Sequence, residues 1–114
     1  MTVDFCIDND DMFECPFWFE MDWTSPVLPR IGESFTNKFF VRFVKPASFY
    51  NSLTKEKKNI WKEVVEYGMR EETDTLEEAE DGALESLLDF LPLEVNDVCW
   101  TVDDNGEIRT IIYL

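Results

Sequence analysis

The chain has 114 residues, 45% of them hydrophobic and 15% aromatic, with 25 acids against 10 Lys and Arg and a net charge of −15. A chain of that length and apolar content is one domain that buries its own core, not a disordered acidic tail. The sign of the charge excludes direct binding to nucleic acid or to an anionic membrane surface, both of which require cations facing phosphate.

Histidine is absent, which removes the commonest general base and the commonest metal ligand. Cys6, Cys15 and Cys99 are odd in number and widely spaced, as expected of reduced thiols in the cytoplasm. No run approaches the roughly 18 apolar residues of a membrane span, and Met1 to Asp10 lacks a secretory pattern. The charge is unevenly spread. Residues 1–29 carry no Lys or Arg, residues 30–70 are net basic, and residues 71–107 hold fourteen acids without one cation.

In chain order, Val3, Phe5 and Ile7 alternate with Asp4, Cys6 and Asp8, which predicts a half-buried strand followed by a polar turn at Asn9 to Asp11. A long second strand is expected from Phe13 to Trp23. Phe13, Cys15, Phe17, Phe19, Met21 and Trp23 share one face, and Glu14, Trp18, Glu20 and Asp22 the other. Pro16 within it marks an edge or a bulge, because proline cannot donate to a ladder. A proline-bracketed break at Ser25 to Pro29 and a flexible point at Gly32 precede a third strand at Phe39 to Val44, and Pro46 to Leu53 has room for a helical turn.

Two amphipathic helices follow. Thr54 caps the first, whose buried face holds Ile60, Trp61, Val64 and Val65 and whose last turn holds Gly68. In the second, Leu76, Ala79, Ala83, Leu84, Leu87, Leu88 and Leu91 form an apolar stripe, ended by Pro92. Thr75 with Glu78 and Asp74 with Glu77 fit a capping box equally well. Glu77, Asp81, Glu85 and Asp89 fall four apart along one flank, where each like-charge pair costs an isolated helix roughly 0.2–0.5 kcal/mol. Asp89 also sits at the negative end of its own helix dipole. An antiparallel helix hairpin turning near Glu72 would set Lys55, Lys58 and Lys62 against Glu85 and Asp89 and offset that repulsion.

Val95 to Val102 and Ile108 to Leu114 flank Asp104-Asn105-Gly106, a hairpin signal. A three-residue loop with Gly106 left-handed groups Val98, Trp100 and Val102 with Ile108 and Ile112, a better apolar segregation than a two-residue loop gives. The expected fold is α+β: a bent antiparallel sheet or small open β-barrel of about five strands, three plus two, with a two-helix insertion. Residues 1–114 form a single domain, divided into a β-rich block at 1–45, the helix pair at 54–91 and the β-hairpin at 95–114.

Leu28-Pro29-Arg30-Ile31-Gly32-Glu33, with Val98-Cys99-Trp100 and the closing Ile-Ile-Tyr-Leu, resembles a pattern in small uncharacterised bacterial proteins of mobile elements. The resemblance implies a compact β-rich barrel and no assigned activity.

Calcium-loop spacings starting at Asp8 or Thr101 fail, because Phe13, Phe19 and Ile112 occupy positions that need glycine or an acid. No metal or other cofactor is expected. Cys15, on the apolar face of its strand and with no histidine to activate it, suits a buried thiol. Two carboxylates alone can catalyse, but nothing in the sequence marks such a pair, so an enzyme is not expected. Phe17-Trp18-Phe19 places aromatics on both faces of one strand. A sheet covered on both sides, the helix pair being the second cover, is the favoured explanation, and an exposed edge-strand patch used for a partner is the other.

The function expected is a non-catalytic interaction module presenting an acidic face to a basic protein partner, as an inhibitor, an immunity protein or a nucleic-acid mimic does. Glu77, Asp81, Glu85 and Asp89 with Trp18 are its candidate partner-binding residues. A self-associating accessory component of a mobile element, acidic only for solubility, is the alternative, and a small carboxylate enzyme a weaker one.

Overall fold

Alternation at the N-terminus produces the first strand, β1 (Thr2–Ile7), in the computed structural model, which describes residues 1–70 and 75–114. β1 pairs antiparallel with β2 (Phe17–Asp22), with Phe5 opposite Phe19. The long strand expected from Phe13 is thus shorter. Phe13 makes only an isolated bridge to Leu53, and the ladder begins just after Pro16, whose missing donor ends it there. Cys15 consequently lies outside the ladder and is exposed, not the buried thiol expected.

The expected third strand is a helix, α1 (Asn37–Phe43). As a strand burying Phe39, Val41 and Phe43, the segment would leave Phe40 and Val44 on the solvent face beside Arg42. As a helix, Phe40 and Val44 lie four apart on one side and are buried, while Arg42 turns out to solvent. α2 (Pro46–Ser52) follows, with Pro46 at its first turn, where the absent N–H costs nothing. α3 (Lys55–Gly68) is capped by Thr54, whose hydroxyl accepts the Lys57 N–H at 3.3 Å. In α4 (Leu76–Leu88) the cap is Thr75, which accepts the Glu78 N–H at 3.2 Å. The competing cap at Asp74 and the expected turn near Glu72 lie outside the described residues. Ala79, Ala83, Leu84, Leu87 and Leu88 are buried as the stripe requires, but Leu76, in the first turn, is exposed.

β3 (Asp97–Val102) and β4 (Ile108–Tyr113) form the expected hairpin, with Val102 opposite Ile108. The Asp103 N–H donates to the Glu107 carbonyl at 2.9 Å and Gly106 has φ +79°, so Asp104-Asn105-Gly106 is a three-residue loop. The described strands form one open sheet in the order β2-β1-β4-β3, with β1 and β4 parallel at its centre. Five antiparallel strands or a barrel were expected. Once α1 replaces the third strand, the N-terminal hairpin and the C-terminal hairpin join through β1 and β4, and the helices fill the crossover that a parallel pair needs.

α1, α2, α3 and α4 share one core with one face of this sheet. Val3, Phe5, Ile7, Phe17, Met21 and Ile112 point into them and share a core with Phe40, Phe49, Trp61 and the α4 leucines. Phe5 stacks on Phe19 at 5.0 Å and meets Phe40 edge-on at 5.6 Å. The segment that carries the Leu28 to Glu33 motif is tied to the approach to β3. The Gly32 N–H donates to the Val95 carbonyl and the Val95 N–H to that of Glu33. Gly32 holds φ +91°, which a residue with a Cβ resists, while Glu33 accepts the Arg30 N–H at 2.7 Å. The motif thus pins a loop to the rim of the sheet.

Candidate interaction surface

The acidic flank of α4 survives as a flank, but its four members differ in surroundings. Glu77 is exposed and Asp81 and Glu85 are half-buried. Asp89 is the C-cap residue of α4 and accepts a hydrogen bond from the Asn37 side chain, at the first residue of α1. α1 has no acid in its own first turn. The carboxylate therefore answers the positive end of the α1 dipole, which offsets its unfavourable place at the end of its own helix.

The lysines of α3 do not meet this flank. Among the described residues none of Lys55, Lys58 and Lys62 forms an ion pair with Glu85 or Asp89. α4 turns a different side towards α3: a Cβ on Gly68 would come within 3.2 Å of the Ala79 Cβ, and the cleft between the helices is lined by Val64, Gly68, Ala79, Gly82 and Ser86. Lys57 instead lies 5.7 Å over the ring of Phe90 and Lys58 5.6 Å over that of Tyr50. The Lys57 contact joins the start of α3 to the end of α4, as in an antiparallel pair; the matching of charges expected from such a pair is absent because the ladder is rotated away.

Trp18 stands elsewhere. It projects from the face of the sheet opposite the helices and is 51% exposed, so the two-sided cover favoured from the sequence is not formed. Its ring meets Tyr113 edge-on at 6.0 Å, over Cys6, which is buried beneath the pair. Burial, and then the charge of Asp8, push the Cys6 thiol above its ordinary value. On the same face Arg109 grips Asp4 through two hydrogen bonds of 2.7 and 2.9 Å and reaches Glu20 at 2.8 Å. Those bonds, Asp4 first and Glu20 second, hold the guanidinium in its charged form. Trp18 therefore does not border the α4 flank. The aromatic that does is Phe90, 70% exposed and next to Asp89, a neighbour that sequence adjacency alone would have indicated.

One apolar surface was missed. Val98 and Ile112 enter the core as grouped, but Trp100, Val102 and Ile108, on the same face, are 62%, 62% and 65% exposed. The helices end before the hairpin does. The signal was the hairpin's length, six residues a strand, with apolar residues continuing to the turn. Among the described residues no helix is long and apolar enough to cross a membrane, and no three His, Cys, Asp or Glu side chains converge on a site for a metal ion. The chain matches no protein-family model, no curated protein and no solved structure.

Proposed function

We propose that the protein is a cytoplasmic, non-catalytic interaction module whose α4 flank engages a basic protein surface, as an inhibitor, an immunity protein or a nucleic-acid mimic would. The observation that carries this reading is the uncompensated charge of the flank. Glu77, Asp81 and Glu85 stand in a ladder with no cation of the described residues in ion-pair contact, and Lys57 and Lys58 of α3 lie over aromatic rings. Such a field speeds encounter with a cationic partner and selects against anionic ones.

The test is the triple variant Glu77→Gln, Asp81→Asn, Glu85→Gln, which leaves Asp89 on Asn37. Stability is expected to hold or rise slightly, since the ladder's repulsion goes. Capture of a basic partner from native lysate at low salt is expected to drop, with slower association and a shallower salt dependence. Equal capture by variant and wild type at low salt discards the reading.

A second reading, an accessory component of a mobile element that self-associates through its strands, is favoured by the outer edges of β2 and β3, which have no neighbouring strand among those described. Sedimentation equilibrium separates the two: a concentration-dependent dimer abolished by proline on either edge supports self-association.

A further inference from the structure

We infer that the outer edge of β3 is a strand-addition site for an extended partner segment in which apolar residues alternate with Lys or Arg. Three observations meet there. The first is the main chain. With Asp103 bonded to Glu107 and Val102 opposite Ile108, ladder alternation turns the N–H and C=O groups of Val98, Trp100 and Val102 away from β4. The Val98 N–H is already taken by its neighbour's carboxylate, Asp97 Oδ1 at 2.9 Å. Trp100 and Val102 offer theirs to an incoming strand. β3 also lacks the lysines, prolines and bulges with which free edges are usually blunted.

The second observation is the face. Trp100, Val102 and Ile108 continue the helix-covered side of the sheet beyond the last helix, so apolar side chains of an added strand would extend the core. The third is charge. Asp97, Asp103 and Glu107 belong to the alternate positions, with Asp104 in the loop; the Asp103 carboxylate accepts the Asn105 and Glu107 N–H groups across the turn and the Asp97 carboxylate accepts the Val98 N–H, and both keep their negative charge at this edge. An added strand presents its residues with the same period of two. Its apolar set meets Trp100 and Val102 while its other set stands beside Asp97 and Asp103, where cations are favoured.

Charge also disfavours a second copy of this chain paired on β3. Antiparallel pairing of two β3 strands about Trp100 sets Asp97 opposite Asp103 twice, between molecules of net charge −15. This surface is distinct from the α4 flank, and either stands if the other fails.

The probe is a capped peptide of about seven residues alternating valine and lysine, long enough to span β3. The controls are a peptide of the same composition with its valines and lysines in separate blocks, and an alternating valine–glutamate peptide. In amide NMR spectra of the labelled protein, shifts on adding the alternating lysine peptide are expected to concentrate at residues 97–103 and 107–109. Exchange of the Trp100 and Val102 amides should slow. Val102→Pro removes an outward donor at a position where an edge strand tolerates proline, and should weaken binding about tenfold or more. Val102→Lys keeps the main chain and should weaken it too, so the outcome does not hang on the proline variant folding. The α4 triple variant should retain wild-type affinity. Shifts confined to α4, equal binding of the block peptide, or wild-type affinity in both Val102 variants would overturn the inference. A salt-insensitive dimer of the protein through β3 would overturn it as well, by assigning the edge to a second copy.

Discussion

Gly106 shows how one residue sets the register of a hairpin. Its φ of +79° lies where a β-branched side chain collides with its own backbone. Gly106→Val is expected to lower stability by about 1 kcal/mol or more in urea unfolding. A Cβ there meets nothing within 4 Å, so any loss comes from the backbone and not from a clash. Cys6 makes a second case. Because its thiol titrates above the ordinary value when folded, the native state holds that proton more firmly than the unfolded chain does. The stability this contributes is whole below the ordinary thiol value of about 8.5–9 and is lost as pH rises through the folded-state value. The stability gap between wild type and Cys6→Ala should therefore narrow as pH rises above about 8, read as urea midpoints. A gap that widens over that range contradicts the burial assigned to the thiol.

Between elements, the contact of Asp89 with Asn37 joins the end of α4 to the start of α1. A double-mutant cycle of Asp89→Ala and Asn37→Ala should return a coupling of about 0.5–1.5 kcal/mol, the usual worth of one such bond. Zero coupling would leave the acid's cost at its own helix end unanswered. The closeness of α3 and α4 depends on Gly68, whose missing side chain lets Ala79 approach. Gly68→Leu should force the pair apart and cost about 1–3 kcal/mol, as overpacking does, visible as a fall in thermal midpoint.

Taken as a whole, the protein is an anion whose sheet, among the described residues, has one uncovered face and two unpaired edges. Ion pairs among the described residues are confined to the sheet and the N-terminal ammonium beside it, so the net charge of −15 acts chiefly as self-repulsion. Raising sodium chloride from about 20 mM to about 500 mM should then raise the thermal midpoint, because the Debye length shrinks from roughly 20 Å to roughly 4 Å. A falling midpoint would mean that unrecognised attractions between charges outweigh the repulsion.

Local patterns carried the elements whose reasons are local. The stripe from Ala79 to Leu88, the hydroxyl cap at Thr54 and the Gly106 turn each depend on residues within one or two turns of chain, so spacing alone placed them, while at the start of α4 it left Thr75 and Asp74 as equal candidates. The run from Phe39 to Val44 is apolar at period two and at period 3.6 alike, and it became a helix because Phe40 and Val44 had a core to enter together. The parallel pairing of β1 with β4 joins residues more than a hundred positions apart, and no local signal reports such a pairing. The candidate surfaces divide the same way. The four-apart acids of α4 are a fact of sequence; that α4 turns its other side to α3, with Lys57 over Phe90 and Lys58 over Tyr50, follows from how the helices pack. Trp18 and Trp100 look alike as strand aromatics, yet one lies on the bare face and the other beyond the last helix. Exposure is the area that other elements fail to cover, so only the assembled chain determines it.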